Sequence, residues 1–177
     1  PDGAIADHYD KIHMFDANVG DGRQYAESKN FRAGGKMVVA HCGAASIGMS
    51  IRYDVRFPAL YRDMASAGAT ILSVPSAFTY DSGRAHWHIL LRARAIETGC
   101  FVIAPAQCGT HADGRRTYGH ALIINPCGEI IAEAATDDGV ASPGSNDDVI
   151  IADLNPDAVH QARRAIPSLS NARPYDV

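Results

Sequence analysis

Apolar positions along the chain come in short runs broken by clusters of Gly, Asp, Asn, Ser and Pro, the pattern of strands alternating with helices. Residues 4–9 predict a first strand, and residues 14–35, dense in Gly, Asp, Asn and Ser, predict a long functional surface loop. Residues 36–40 and 46–51 predict two strands around a turn at Gly43 and Ala44. Residues 56–67 have helical spacing, with Phe57, Leu60, Tyr61 and Met64 on one face and Gly68 as the stop. A buried strand over residues 69–74 follows, ending at Pro75. The next helix, over residues 83–98, aligns Trp87, Leu90, Leu91 and Ala95 and closes at Gly99 as a C-cap. Residues 100–104 predict a strand, and residues 118–124 with 129–133 a hairpin around Asn125, Pro126, Cys127 and Gly128. Residues 136–148 predict a mobile polar loop, 149–154 a last strand, 156–165 a last helix, and 166–177 a tail running extended over a surface. Strands alternating with helices, together with antiparallel hairpins, predict a mixed α/β layer fold.

Composition narrows the class without naming an activity. The 177 residues are 46% hydrophobic and 20% charged, with a formal net charge of −4. A domain of this length buries roughly 70% of the surface of its unfolded chain, so it needs no disulfide or metal to hold a core. A mildly acidic chain lacks the basic footprint of a nucleic-acid binder, and apolar runs such as residues 69–74 and 121–124 are too short to span a bilayer. Cys42, Cys100, Cys108 and Cys127 form no CxxC pair and no secretory leader is seen, so free thiols in a cytoplasmic setting are expected. The opening Pro1-Asp2-Gly3, running into a strand-like segment, is a hairpin turn signal without its incoming strand, and leads to the expectation of a longer parent chain.

Three segments put reactive residue types where strands end. Lys11 sits at the exit of the first predicted strand, where an arbitrary lysine reads first as a surface side chain snorkelling past the strand end. Residues 48–58 form a strand, a sharp turn and a helix start, which aims backbone N–H groups and the helix dipole at a developing oxyanion, or makes an ordinary connection. Residues 75–79 lead from a strand end into Ala85-His86-Trp87-His88, a loop before an amphipathic helix. Among eight histidines, His86 and His88 lie two apart on a helix and point to different faces, while His111 and His120 have no partnering cysteine pair, so no metal is expected. Arg92 and Arg94 with Glu97 read either as an exposed ion-pair set or as support for the site.

Tyr9-Asp10-Lys11-Ile12-His13-Met14-Phe15-Asp16, the 51–60 stretch, residues 75–79, Ala85-His86-Trp87-His88 through Glu97, Ala106-Gln107-Cys108-Gly109 and Tyr118-Gly119-His120 together resemble the carbon-nitrogen hydrolases of the nitrilase superfamily. The AHWH and LLRARAIE wording is closest to the Nit-type amidase branch, which includes the deaminated glutathione amidases. The resemblance implies a four-layer α-β-β-α sandwich, with residues 1–177 as the C-terminal two-thirds of one such domain. It implies hydrolysis of a non-peptide amide of a small carboxylate-containing substrate, without a cofactor, in a homodimer or higher homo-oligomer. A cysteine attacks the carbonyl, a glutamate moves the proton, and a lysine and a backbone N–H hold the oxyanion. By this resemblance Lys11 is the lysine, Glu27 the second, orienting glutamate and Tyr53 the residue whose N–H serves the oxyanion. Phe78, Thr79 and His86 fall to substrate binding. The general-base glutamate would lie upstream of Pro1.

Position 52 departs from the family pattern, because arginine stands where the nucleophilic cysteine belongs. A guanidinium stays protonated and has no lone pair to attack with, so the chain is expected to be inactive. Cys42 lies ten residues upstream, separated by roughly 25 Å of extended chain, Cys100 reads as a core thiol, Cys108 as a pocket-border residue and Cys127 as a turn residue; none substitutes. Arg52 beside Lys11 puts two cations in a site built for one, so one is expected to pair with Glu27 or be driven towards solvent. Two other roles remain beside the altered amidase: a pseudoenzyme binding small carboxylates, and a fold-only assembly module.

Overall fold

The structure, a computed structural model, describes residues 3–19, 22–134 and 148–176. In chain order the strands are β1 (Asp16–Asn18), β2 (Gln24–Ala26), β3 (Val39–Cys42), β4 (Ala45–Met49), β5 (Ile71–Ser73), β6 (Phe101–Ala104), β7 (Cys108–Thr110), β8 (Arg116–Tyr118), β9 (Leu122–Ile124) and β10 (Ile130–Glu133). The helices are α1 (Pro58–Ser66), α2 (Tyr80–Thr98) and α3 (Asp157–Ala165), with 3-10 turns at Glu27–Lys29 and Arg52–Arg56. Six strands make one sheet in the order β10-β9-β6-β5-β4-β3. Its centre, β4-β5-β6, is parallel because α1 and α2 are the crossovers, and a hairpin flanks it on either side.

The register explains which face is the core. Gly48, Leu72, Val102 and Ile124 align across four strands, and the last three are wholly buried. Met64 of α1 sits over Gly48, where a Cβ would lie 2.8 Å from the Met64 sulfur. Leu60, Tyr61 and Met64 from α1 and Trp87, Leu91 and Ala95 from α2 complete this core at the expected helical spacing. The alternate rows, Ile47-Ile71-Phe101 and Met49-Ser73-Ile103-Ile123, face the other way by the period of the pleat. Of the four layers implied by the resemblance, the described residues build two: this sheet and the helices laid on it. No helix among the described residues is long and apolar enough to cross a membrane.

Several local expectations change. Residues 4–9 form no strand, because nothing among the described residues offers them a ladder, and Ile5 is exposed. Residues 149–154 are extended but unpaired for the same reason, with Val149 and Ile151 exposed. The 14–35 loop is more ordered than expected, since Asp16 pairs with Ala26 and Asn18 with Gln24 in a small hairpin. The strand predicted over 118–124 is two strands in different sheets, broken where Gly119 (φ 73°) and His120 (φ 56°) take left-handed conformations. Residues 136–147 of the predicted mobile loop, like Pro1 and Asp2, lie outside the described residues. The tail first packs down, with Ser168 Oγ donating to the Glu97 carbonyl at 3.0 Å and Leu169 against the core, before residues 172–176 run exposed.

Tight contact between α2 and β8 generates a test whose sign is informative. A Cβ on buried Gly83 would lie 2.4 Å from Tyr118 Cβ and 2.7 Å from its Cγ. Helix propensity alone favours Gly83→Ala by up to ~1 kcal/mol, whereas overpacking against a ring root that cannot rotate away costs ~1–3 kcal/mol. Gly83→Ala is therefore expected to lower the urea midpoint, and a raised midpoint would show that α2 does not seat on β8 as described.

Candidate active site

Beyond β4 the chain stays beside β5 for two more residues, with Ser50 N–H donating to the Ser73 carbonyl at 3.1 Å and Arg52 N–H to that of Pro75 at 3.0 Å. It then turns sharply. Arg52 has φ 48°, a left-handed conformation rare for a side chain of this size, and opens the 3-10 turn that leads into Pro58 and α1. The 3-10 ladder begins with Asp54 N–H to the Ile51 carbonyl, so the N–H of Tyr53 is left outside it. That is the backbone donor expected at the oxyanion position.

Asp54 holds this turn together. Its carboxylate is wholly buried and accepts the Ile51 N–H (2.9 Å) and Tyr9 hydroxyl (2.8 Å) on one oxygen, and the His13 N–H (3.0 Å) on the other, which also contacts His13 Nδ1 (2.7 Å). The His13 ring lies flat on Phe57 at 3.6 Å between centroids. Burial first, and then the hydrogen bond to Asp54 and its charge, pushes the Tyr9 hydroxyl above its ordinary range, so it remains a donor. Residues 9–13 are thus pinned to the turn, and Lys11 is carried with them. Asp54 went unassigned in the sequence; the available signal was a carboxylate three residues after Ile51 at a helix start, a capping position.

The structure brings Lys11 and Glu27 together. The Lys11 ammonium pairs with Glu27 Oε2, which also accepts the Phe15 N–H at 2.6 Å. Burial raises the Glu27 carboxyl, but the hydrogen bonds from Lys11 and Phe15 and the charges of Lys11 and Arg52 outweigh it and hold the group below the usual range. Of the two cations Lys11 is the one that pairs with Glu27; Arg52 neither pairs with it nor turns to solvent. Among the described residues no carboxylate pairs with it, yet it stays half-buried, its guanidinium 4.5 Å from the Phe15 ring centroid. A guanidinium is weakly hydrated and planar, so an aromatic face replaces the missing counter-ion. Burial still pushes its pKa down, with the Glu27 charge opposing.

Arg52 lies between two clefts. One is lined by Phe15, Arg52, Tyr53, Arg56, Phe78, Thr79 and Ser82, the other by Ile51, Arg52, residues 75–77 and residues 105–107. Phe78 and Thr79 therefore fall beside position 52, whereas His86 is exposed on α2 and meets Arg56 at 3.3 Å. Arg94 is buried and supports the turn, its Nε donating to the Val55 carbonyl at 2.9 Å while it pairs with Glu97; Arg92 instead holds the Gly128 carbonyl at 2.7 Å. Cys42, Cys108 and Cys127 are exposed and Cys100 is buried, and none lines either cleft.

The chain matches the family model described as carbon-nitrogen hydrolase over residues 1–164, and it belongs to that family. It is 47% identical to the deaminated glutathione amidase of Synechocystis sp. over 173 residues, 97% of this chain and 60% of that protein. Among solved structures it is similar to the Caenorhabditis elegans NitFhit protein, with a TM-score of 0.85 and 37% identity over 97% of this chain and 40% of that one. Saccharomyces cerevisiae Nit3, a member of branch 10 of the nitrilase superfamily, gives a TM-score of 0.78 and 31% identity over 94% of this chain and 54% of its own. The chain thus spans about 60% or less of the length of these relatives.

Two measurements test the site's framework. Asp54→Ala leaves three part-buried donors facing a void and is expected to cost about 2 kcal/mol, read as a lower urea midpoint; an unchanged midpoint would remove Asp54 from its central place. The Glu27 carboxyl is depressed in the folded chain, so its stabilisation is present above the unfolded value of about 4.3 and is lost as pH falls through the native value. Glu27→Gln should therefore show a shallower loss of stability than the unsubstituted chain on titration below that pH, and parallel acid limbs would contradict the Lys11 pairing.

Proposed function

We propose that this chain is the site-bearing part of an amidase for small carboxylate-containing substrates, in which arginine at position 52 has replaced the attacking group and turnover is lost. The observation that carries the reading is the left-handed residue 52 at the head of the helix, beside the Lys11–Glu27 pair and the unused Tyr53 N–H. In the active form of such a site a thiolate at this position would attack the amide carbonyl while Lys11 and the Tyr53 N–H stabilise the oxyanion and Glu27 fixes the lysine. The relatives named as deaminated glutathione amidases support the amide class. The parent domain belongs, in this proposal, to a cytoplasmic homo-oligomer, with its exposed cysteines kept as thiols; Ile89 and Ile96, exposed along α2, supply apolar surface for such an assembly.

One observation favours a second role for the same site. Arg52 has no carboxylate partner among the described residues, and it shares a cleft with Arg56 and the hydroxyls of Thr79 and Ser82. That cleft is narrow, but Arg52 also lines the wider one with Ser76 and Gln107, where a guanidinium without a counter-ion suits pairing with a small carboxylate rather than cleaving an amide.

The chain incubated with deaminated glutathione is expected to release no product above the buffer rate, and turnover by the unaltered chain would overturn the proposal. With Arg52→Cys, the introduced thiol is expected to react with iodoacetamide faster than Cys42, Cys108 or Cys127, because two cations and a helix start stabilise a thiolate there. Equal or slower labelling would show that position 52 is not a nucleophile site. A rise in thermal midpoint with millimolar succinate, abolished by Arg52→Ala, is the outcome of the carboxylate-binding role; no shift sinks it.

A further inference from the structure

Away from position 52, three metal-ligating side chains from three separate elements meet at one point. His88 comes from α2, His120 from the connection between β8 and β9, and Glu133 from the end of β10. His88 Nε2 lies 2.9 Å and His120 Nδ1 2.7 Å from the same carboxylate oxygen, Glu133 Oε1, and the three ligand atoms lie within 4.8 Å of one another. None of the three lines either cleft at Arg52.

The arrangement is built rather than accidental. His120 is held in a left-handed conformation (φ 56°), and its carbonyl accepts the indole N–H of wholly buried Trp87 at 2.8 Å. A backbone so constrained persists only where its surroundings over-determine it. The His120 ring stacks on Tyr118 at 4.3 Å, and the His88 ring meets both edge-on, at 5.2 Å from His120 and 5.9 Å from Tyr118. Glu133 ends β10, its backbone in register with Leu122 of β9. The side chains are 20–36% exposed, so an ion can reach them from solvent.

We propose that His88, His120 and Glu133 form a site for a divalent transition-metal ion of the zinc class, with water in the fourth position. Two imidazoles and a carboxylate are a donor set for this ion. Tetrahedral zinc with bonds of about 2.0–2.1 Å separates its ligands by about 3.3 Å, so the two nitrogen–oxygen contacts need open by only a few tenths of an ångström. The ion would tie α2 to the sheet edge at β10. Sequence spacing hides the site, because its three ligands are 32 and 13 residues apart on different elements.

The test is zinc binding by the tag-free chain after chelator treatment, with Cys42, Cys108 and Cys127 changed to Ser to remove surface thiols. One zinc per chain is expected, with affinity reduced at least about tenfold in His120→Gln and in Glu133→Gln, as for loss of a ligand or its support, and unchanged in His86→Gln on the same helix. No binding, which leaves a hydrogen-bonded clamp alone, overturns the proposal, as does equal binding by the ligand variants. Should those variants fail to fold, X-ray absorption on the zinc-loaded protein with unaltered histidines decides: two imidazoles and an oxygen donor support the site, and any shell with fewer than two imidazoles overturns it.

Discussion

A carboxylate removed from water must be met by donors on every side, and Asp54 imposes that requirement on the whole site. Its four contacts come from the turn itself and from residues 9–13, so a segment with no regular secondary structure takes up one position. Lys11, inside that segment, is thereby delivered to Glu27, and Phe15, a few residues on, to the guanidinium of Arg52. The polar interior of the turn thus does for the N-terminal segment what a strand ladder does elsewhere in the fold.

The same frame explains how arginine is accommodated at position 52. Glu27 is already engaged by Lys11 and the Phe15 N–H, leaving no carboxylate for a second cation. An ammonium at position 52 would have demanded hydration or a counter-ion; a guanidinium is satisfied by stacking on a ring. Residue 52 takes a left-handed turn, and its N–H is tied to the Pro75 carbonyl.

Much of the central sheet was legible from the sequence because its signals are local: short apolar runs, Gly43 in a two-residue hairpin, Gly68 and Gly99 ending helices, and Asn125 accepting from the Cys127 and Glu129 N–H groups in its turn. Residues 4–9 and 149–154 read as strands because composition reports a capacity to pair, whereas pairing needs a neighbour. Lys11, Glu27 and Tyr53 were assigned through family resemblance, and Arg94 was left between two roles; Asp54 and the meeting of His88, His120 and Glu133 went unread, since each depends on contacts between distant segments. Gly119 and His120 illustrate the limit well: the apolar run after Tyr118 suggests one continuous strand, and only the left-handed pair shows why it divides.

Cys100 has a consequence of another kind. Its sulfur is sealed between the Ala69 carbonyl and the Arg163 guanidinium, which also holds the Thr98 carbonyl, and burial pushes the thiol up despite that cation. A protonated, inaccessible sulfur is inert while α3 stays seated, and becomes reactive only when the core opens. The molecule therefore carries its own clock: the rate at which Cys100 is consumed by a thiol reagent measures how often α3 and the sheet part company.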